Sequence, residues 1–204
     1  MTLAETDSIF AETIVSEAAL GAASPAERLP PIEMHLQDGC QVIVDIVSRF
    51  YFEKAVFEAR KSGELSAEQF CQAMLEAQER TYGDGLDPEK RHPYMWAVKG
   101  HYYIPSLSYY NFPYAFGQLF GLGLYERYRS EGPGFAAAYS ALLADTGSAS
   151  AVEVTRKAGF DIESQDFWAS SLGAFQRQTE EFEGLVKELR SEERRVGKEC
   201  RSRW

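Results

Sequence analysis

Residues 94–125 read YMWAVKGHYYIPSLSYYNFPYAFGQLFGLGLY, and the rest of the chain is organised around this stretch. It holds seven tyrosines, one tryptophan and a single histidine, His101. A buried phenol or imidazole needs a partner for its polar tip, so aromatic polar groups at this density point to a wet cavity or a ligand. The structural alternative is that these tyrosines fill an ordinary core or interface and the histidine is simply hydrogen-bonded in place. Residues 89–107, punctuated by Pro93, Gly100 and Pro105, read as an irregular loop, the kind of segment that can carry a donor to a bound molecule. From about Ser108 to Arg129 the pattern is helical, with Pro113 tolerated in the first turn and Gly117, Gly121 and Gly123 open to close packing by a neighbour.

Helical spacing continues on both sides. Residues 1–20 carry an apolar face of Leu3, Ile9, Phe10, Ile14 and Val15, and Glu5 and Glu12, two turns apart, share a face if this is one helix. Gly21 to Pro31 reads as a loop. Met34 to Ser62 reads as a long helix with Leu36, Cys40, Ile43, Ile46, Val47, Phe50 and Phe57 as its apolar stripe. Ser66 is an N-cap with Gln69 as its capping-box partner, opening a helix to about Tyr82. Beyond Gly132-Pro133-Gly134 come a short helix over 134–145, another capped by Ser148 and ending at Gly159, and a last one from about Ser164 to Leu189. In that last helix Phe167, Trp168, Leu172, Phe175, Phe182, Leu185 and Leu189 read as core. No pair of strands with a hairpin signal occurs, so the fold class is all-α with few or no strands.

The chain has 204 residues, enough for one well-packed domain, expected over 1–189. Its net charge of -10 disfavours nucleic acid and anionic membrane as partners, both of which require basic patches. Cys40, Cys71 and Cys200 fall at no metal-binding or disulfide spacing and read as reduced thiols, with Cys40 and Cys71 as small core residues. There is no stretch of the ~20 apolar residues a membrane span needs, and the N-terminus has no signal-peptide pattern, so the expected location is cytoplasmic. Residues 190–204 change character: six basic and three acidic side chains give a tail of +3 that reads as extraneous sequence of cloning or adapter origin, disordered or a frayed helix.

Two segments carry a family resemblance. His-Tyr-Tyr at 101–103 with Tyr-Tyr-Asn-Phe-Pro-Tyr-Ala-Phe-Gly-Gln-Leu-Phe at 109–120, and Ala-Glu-Thr-Asp-Ser-Ile-Phe-Ala-Glu at 4–12, resemble segments of the oligoendopeptidase F and thimet-like zinc metallopeptidases, of gluzincin type. The resemblance covers roughly residues 1–188 and extends to Gly-Pro-Gly-Phe at 132–135 and Asp-Phe-Trp-Ala-Ser-Ser-Leu at 166–172. It implies the helical C-terminal portion of a zincin-type oligopeptidase catalytic domain and a metalloendopeptidase acting on short peptides.

By the same resemblance Glu5 is the third protein ligand of a zinc ion, and Glu12 a nearby acid that orients the ligands. His101 with Tyr110 or Tyr114 donates hydrogen bonds to the substrate carbonyl and its oxyanion. Tyr114 matches the family tyrosine best; Tyr102, Tyr103 and Tyr109 are substrate-binding candidates, because the loop after His101 aligns in more than one way. Asp7 stands where the family pattern has a small residue. The family also needs His-Glu-x-x-His on one helix, which binds zinc and activates its water. The three histidines here, His35, His92 and His101, do not form it, so two zinc ligands are missing. The expectation is therefore a C-terminal fragment inactive by itself. The other readings are a non-catalytic helical peptide-binding module and a subunit that completes a separate zinc-bearing chain.

Overall fold

In the computed structural model, which describes residues 3–106 and 109–201 with side chains as far as Ser191, helix follows helix along the chain. They are α1 (Thr6–Ala22), α2 (Pro25–Cys40), a π turn at Gln41–Asp45, α3 (Ile46–Ala59), α4 (Ala67–Tyr82), α5 (Phe112–Glu131), α6 (Phe135–Asp145), α7 (Ala151–Lys157) and α8 (Gln165–Arg201). Short 3-10 turns at Pro88–Lys90, Met95–Val98 and Gly100–Tyr102 lie between α4 and α5. Among the described residues no strand forms, and the fold is all-α. None of these helices is long and apolar enough to cross a membrane. The chain divides into two units, one of Met1–Glu5 with Gly39–Gln118 and one of Thr6–Asp38 with Leu119–Trp204.

In the first unit α4 starts where its capping box requires. Ser66 Oγ accepts from the Gln69 N–H at 3.3 Å, and Gln69 Oε1 accepts from the Ser66 N–H at 2.8 Å, satisfying two otherwise free donors. Phe52 and Val56 of α3 and Met74 and Ala77 of α4 form the core, covered by Phe70, Met95, Trp96 and Tyr102. The loop is tied to α4 by Gln78, whose buried amide donates to the His92 carbonyl at 2.9 Å and accepts from the His92 N–H at 3.0 Å. One side chain thus imitates a backbone partner for a segment that has no sheet or helix of its own.

The expected helix over 34–62 is interrupted, and of its expected stripe only Ile46 is buried. Phe50 and Phe57 are 46% and 51% exposed, and Cys40 is exposed. The inward face of α3 carries Phe52 and Val56 together with Arg49 and Glu53, and Asp45 precedes them. The π turn is the reason: it takes up an extra residue, so a regular count of 3.6 per turn loses phase across it.

The other unit gathers Phe10, Tyr128, Phe135 and Tyr139 in one aromatic group, and Phe120, Phe160 and Phe167 in another. Gly121 and Gly123 allow the close approach expected of them: a Cβ would stand 3.0 Å from Ile9 Cγ2 and 2.6 Å from the Phe167 ring. Ser150, not Ser148, caps α7, because Glu153 stands three residues after it and returns the bond to the Ser150 N–H at 3.1 Å. Ser148 Oγ donates instead to the Asp145 carbonyl. The expected loop over 21–31 shrinks to the bend at Ala23–Ser24, and Pro30 and Pro31 lie inside α2. The carbonyls of Ala26 and Glu27, which lose their helical donors to these prolines, belong to exposed residues and can turn to water. Leu172 on α8 is 45% exposed rather than core. Side chains of the basic tail from residue 192 onward, Cys200 included, lie outside the described residues, as does the expected helix start at Ser108.

Candidate active-site cluster

Glu5 does not lie on α1. It sits in the turn just before the helix, so it does not share a helical face with Glu12 as the spacing predicts. The turn is seated on α5 at Gly117, where a Cβ would stand 2.8 Å from the Glu5 Cβ. Only glycine leaves room for the Glu5 backbone at that point.

Tyr110 Oη donates to Glu5 Oε1 at 3.3 Å. The Tyr110 and Tyr114 rings meet edge to face at 5.7 Å. Tyr114 Oη and His101 Nε2 are hydrogen-bonded at 3.3 Å, in the direction set by the imidazole tautomer. Four of the residues singled out in the sequence, Glu5, His101, Tyr110 and Tyr114, therefore form one continuous run of contacts within the first unit. Burial and the Glu5 carboxylate raise the pKa of both phenols, through the hydrogen bond as well for Tyr110, while the Arg49 charge partly opposes the rise at Tyr114. Both hydroxyls consequently remain protonated donors at neutral pH.

The remaining candidates separate. Tyr102 is packed into the α3–α4 core against Phe52, with burial first and then the adjacent Glu53 carboxylate pushing its phenol up. Tyr103 is 59% exposed. Tyr109 is partly buried against Phe57 and Tyr102, in a left-handed conformation with φ 59°, and its N–H donates to the His101 carbonyl at 2.8 Å. A bulky residue rarely adopts that conformation without being held there. Glu12 belongs to the other unit, where it is exposed on α1 and lines a cavity of about 360 Å³ with Val15, Leu20, Ile32 and Met34. Asp7, in the same unit, accepts from the Tyr139 hydroxyl, whose pKa rises through burial and that bond.

Beneath the cluster runs a row of buried charges that the apolar-stripe reading missed. Asp45, Arg49 and Glu53, four residues apart, are 8%, 4% and 6% exposed. Arg49 Nη2 donates to Asp45 Oδ2, and Arg49 Nη1 to Asn111 Oδ1 at 3.3 Å. Asn111 Nδ2 donates to Glu53 Oε1 at 2.6 Å. Asp45 also accepts from Tyr82 Oη at 3.0 Å and pairs with Lys99 at 3.6 Å. Burial raises the pKa of Glu53 against the opposing bond from Asn111 and the Arg49 charge. The signal was present in the sequence: three charges at a spacing of four inside VIVDIVSRFYFEKAVF.

As a metal site these residues are incomplete. Glu5 contributes one carboxylate, His101 Nε2 is engaged by Tyr114, and among the described residues no three His, Cys, Asp or Glu side chains come together in a way that could hold an ion. The zinc expectation thus rests on resemblance alone.

A family model described as Peptidase family M3 matches residues 1–174. Group B oligopeptidase PepB of Streptococcus agalactiae serotype III (strain NEM316) is 31% identical over 188 residues, 90% of this chain and 30% of that protein. The plasmid-encoded oligoendopeptidase F of Lactococcus lactis subsp. cremoris is 28% identical over 186 residues, with the same coverage. An oligoendopeptidase F homolog of Lactococcus lactis subsp. lactis (strain IL1403) matches at 28% as well. The chain thus spans about 30% of the length of the curated relatives it matches. No solved structure matches. With the family model covering most of its length and oligopeptidases as its relatives, the chain belongs to peptidase family M3.

Proposed function

We propose that this chain carries the carbonyl-gripping side of a metalloendopeptidase site for short peptides, in which Tyr114, supported by His101, donates to the scissile carbonyl while Tyr110 donates to Glu5. Glu5 is its one proposed zinc ligand. Tyr103 and Tyr109 are proposed to flank the peptide. The partner histidines of a His-Glu-x-x-His helix are not among the 204 residues, so by itself the chain binds peptide without cleaving it.

The observation that supports this reading is the run Glu5–Tyr110–Tyr114–His101, assembled from positions about a hundred residues apart. When His101 carries its proton on Nε2 it donates to Tyr114 Oη, and the Tyr114 O–H is then free to donate to a carbonyl. A donor aimed at a developing oxyanion contributes ~3 kcal/mol, which requires that it be protonated. The raised phenol pKa values favour that state.

The test is equilibrium titration of the 204-residue chain with a short peptide, followed by tyrosine fluorescence. Tyr114→Phe and His101→Ala should each weaken binding about tenfold, the equivalent of one hydrogen bond. Unchanged affinity in both variants would remove these residues from the peptide site.

A further inference from the structure

Three charges are withdrawn from water on one side of α3 and the turn before it, at a place where apolar side chains of the same size would serve packing better. What they touch is specific. Lys99, two residues before His101, pairs with Asp45. Tyr102, the residue after His101, packs against Phe52 of the same helix. Asn111, the residue after Tyr110, is gripped at both ends of its amide, its oxygen by Arg49 and its nitrogen by Glu53. Arginine can only donate and a carboxylate can only accept, so this pair fixes which way the amide faces, and no side chain without both functions fits between them. The clamp falls at a strained place. Tyr109 is left-handed, Asn111 N–H donates back to the Tyr109 carbonyl at 2.9 Å, and α5 begins at the next residue.

We propose that the Asp45–Arg49–Glu53 row positions the two arms of the cluster: Asp45 holds the His101 arm through Lys99, and Arg49 with Glu53 holds the Tyr110–Tyr114 arm through Asn111. Arg49 is the central positioning residue, since it joins Asp45 to Asn111. The rotation of the first turn of α5, and with it the meeting of Tyr114 with His101, follows from the Asn111 clamp. The biological role of this device rests on the peptide-site reading above; its geometry does not.

The experiment uses the full 204-residue chain with ¹⁵N-histidine and ¹³C-tyrosine labels, read by NMR for the His101 tautomer and the Tyr110 and Tyr114 ring signals, alongside thermal unfolding. Asn111→Leu leaves Arg49 and Glu53, one helical turn apart, free to pair with each other. A triple replacement, Arg49→Met with Glu53→Leu and Asn111→Leu, removes the Asn111 clamp and leaves Asp45 with Lys99 and Tyr82 as partners. Both variants should unfold cooperatively, yet lose the His101 Nε2 hydrogen-bond signature and shift both tyrosine signals. A role in stability alone would move the melting temperature and leave those signals of the folded protein in place, which overturns the proposal. Arg49→Met added to Asn111→Leu should shift the Tyr110 signal no further than Asn111→Leu does; an additive shift would show that Arg49 does not act on that arm through Asn111. If the signals move but Tyr114→Phe leaves peptide affinity unchanged, the positioning device stands and the peptide-site reading falls.

Discussion

Replacing Gly117 by alanine tests the seat of Glu5 directly. The new methyl would lie 2.8 Å from Glu5 Cβ, 3.3 Å from its carbonyl carbon and 3.5 Å from its Cα. Ordinary contacts of this kind begin near 3.4 Å, so the Glu5 turn must retreat by at least about 0.6 Å. The atoms in the way are backbone and Cβ, which cannot rotate aside. Tyr110 Oη reaches Glu5 at 3.3 Å, already long, and a retreat of that size carries it out of hydrogen-bonding range. Overpacking costs about 1–3 kcal/mol, while removing a glycine from a helix interior returns about 0.5–1 kcal/mol. Gly184 on α8 has nothing within 4 Å of its Cβ position, so Gly184→Ala isolates the second effect. Urea unfolding should therefore place Gly117→Ala about 1–3 kcal/mol below Gly184→Ala. Absorbance titration of the tyrosines should show the Tyr110 phenol moving back toward the ordinary tyrosine range as the carboxylate withdraws. Equal stabilisation by the two substitutions, with the Tyr110 titration unchanged, would refute the packing argument.

Other expectations follow from the same unit. Gln78→Leu strips two buried hydrogen bonds from the His92 backbone and should cost roughly 1–3 kcal/mol in urea unfolding, with faster amide exchange at His92 as its local mark; exchange unchanged from the parent would count against the clamp. Burial and Asp45 push the Tyr82 phenol up to about 12. The folded state therefore keeps a proton that the unfolded chain releases near 10, so this contribution is complete below pH 10 and is lost as pH rises through about 12. Tyr82→Phe should flatten that part of the alkaline stability profile, and an unaltered slope would assign it elsewhere. After exposure to equimolar zinc and desalting, the purified chain should retain far less than one ion per molecule by elemental analysis, because one carboxylate does not make a closed site; stoichiometric retention would contradict this.

Local chemistry carried much of the fold into the sequence. The capping box at Ser66 and Gln69, the all-helical pattern, the glycines spaced for close approach and the irregular loop around His101 are decided by interactions between residues a few positions apart, and these can be read from order alone. The residues of the candidate cluster were legible too, through resemblance in two short segments. Their roles are a separate matter, resting on the experiments above.

Other features depended on the chain folding back on itself. The π turn at Gln41–Asp45 changes the phase of α3, and a constant helical count therefore assigned Phe50 and Phe57 to an interior that holds Arg49 and Glu53 instead. Whether a charged row on a helix faces water or a buried amide is settled by what packs against it, and Asn111 lies 62 residues from Arg49. Glu5 meets Tyr110 across 105 residues because Gly117 leaves space for its backbone. Spacing along the chain sets which residues share a helix face; only packing between distant segments decides which of those faces becomes a site.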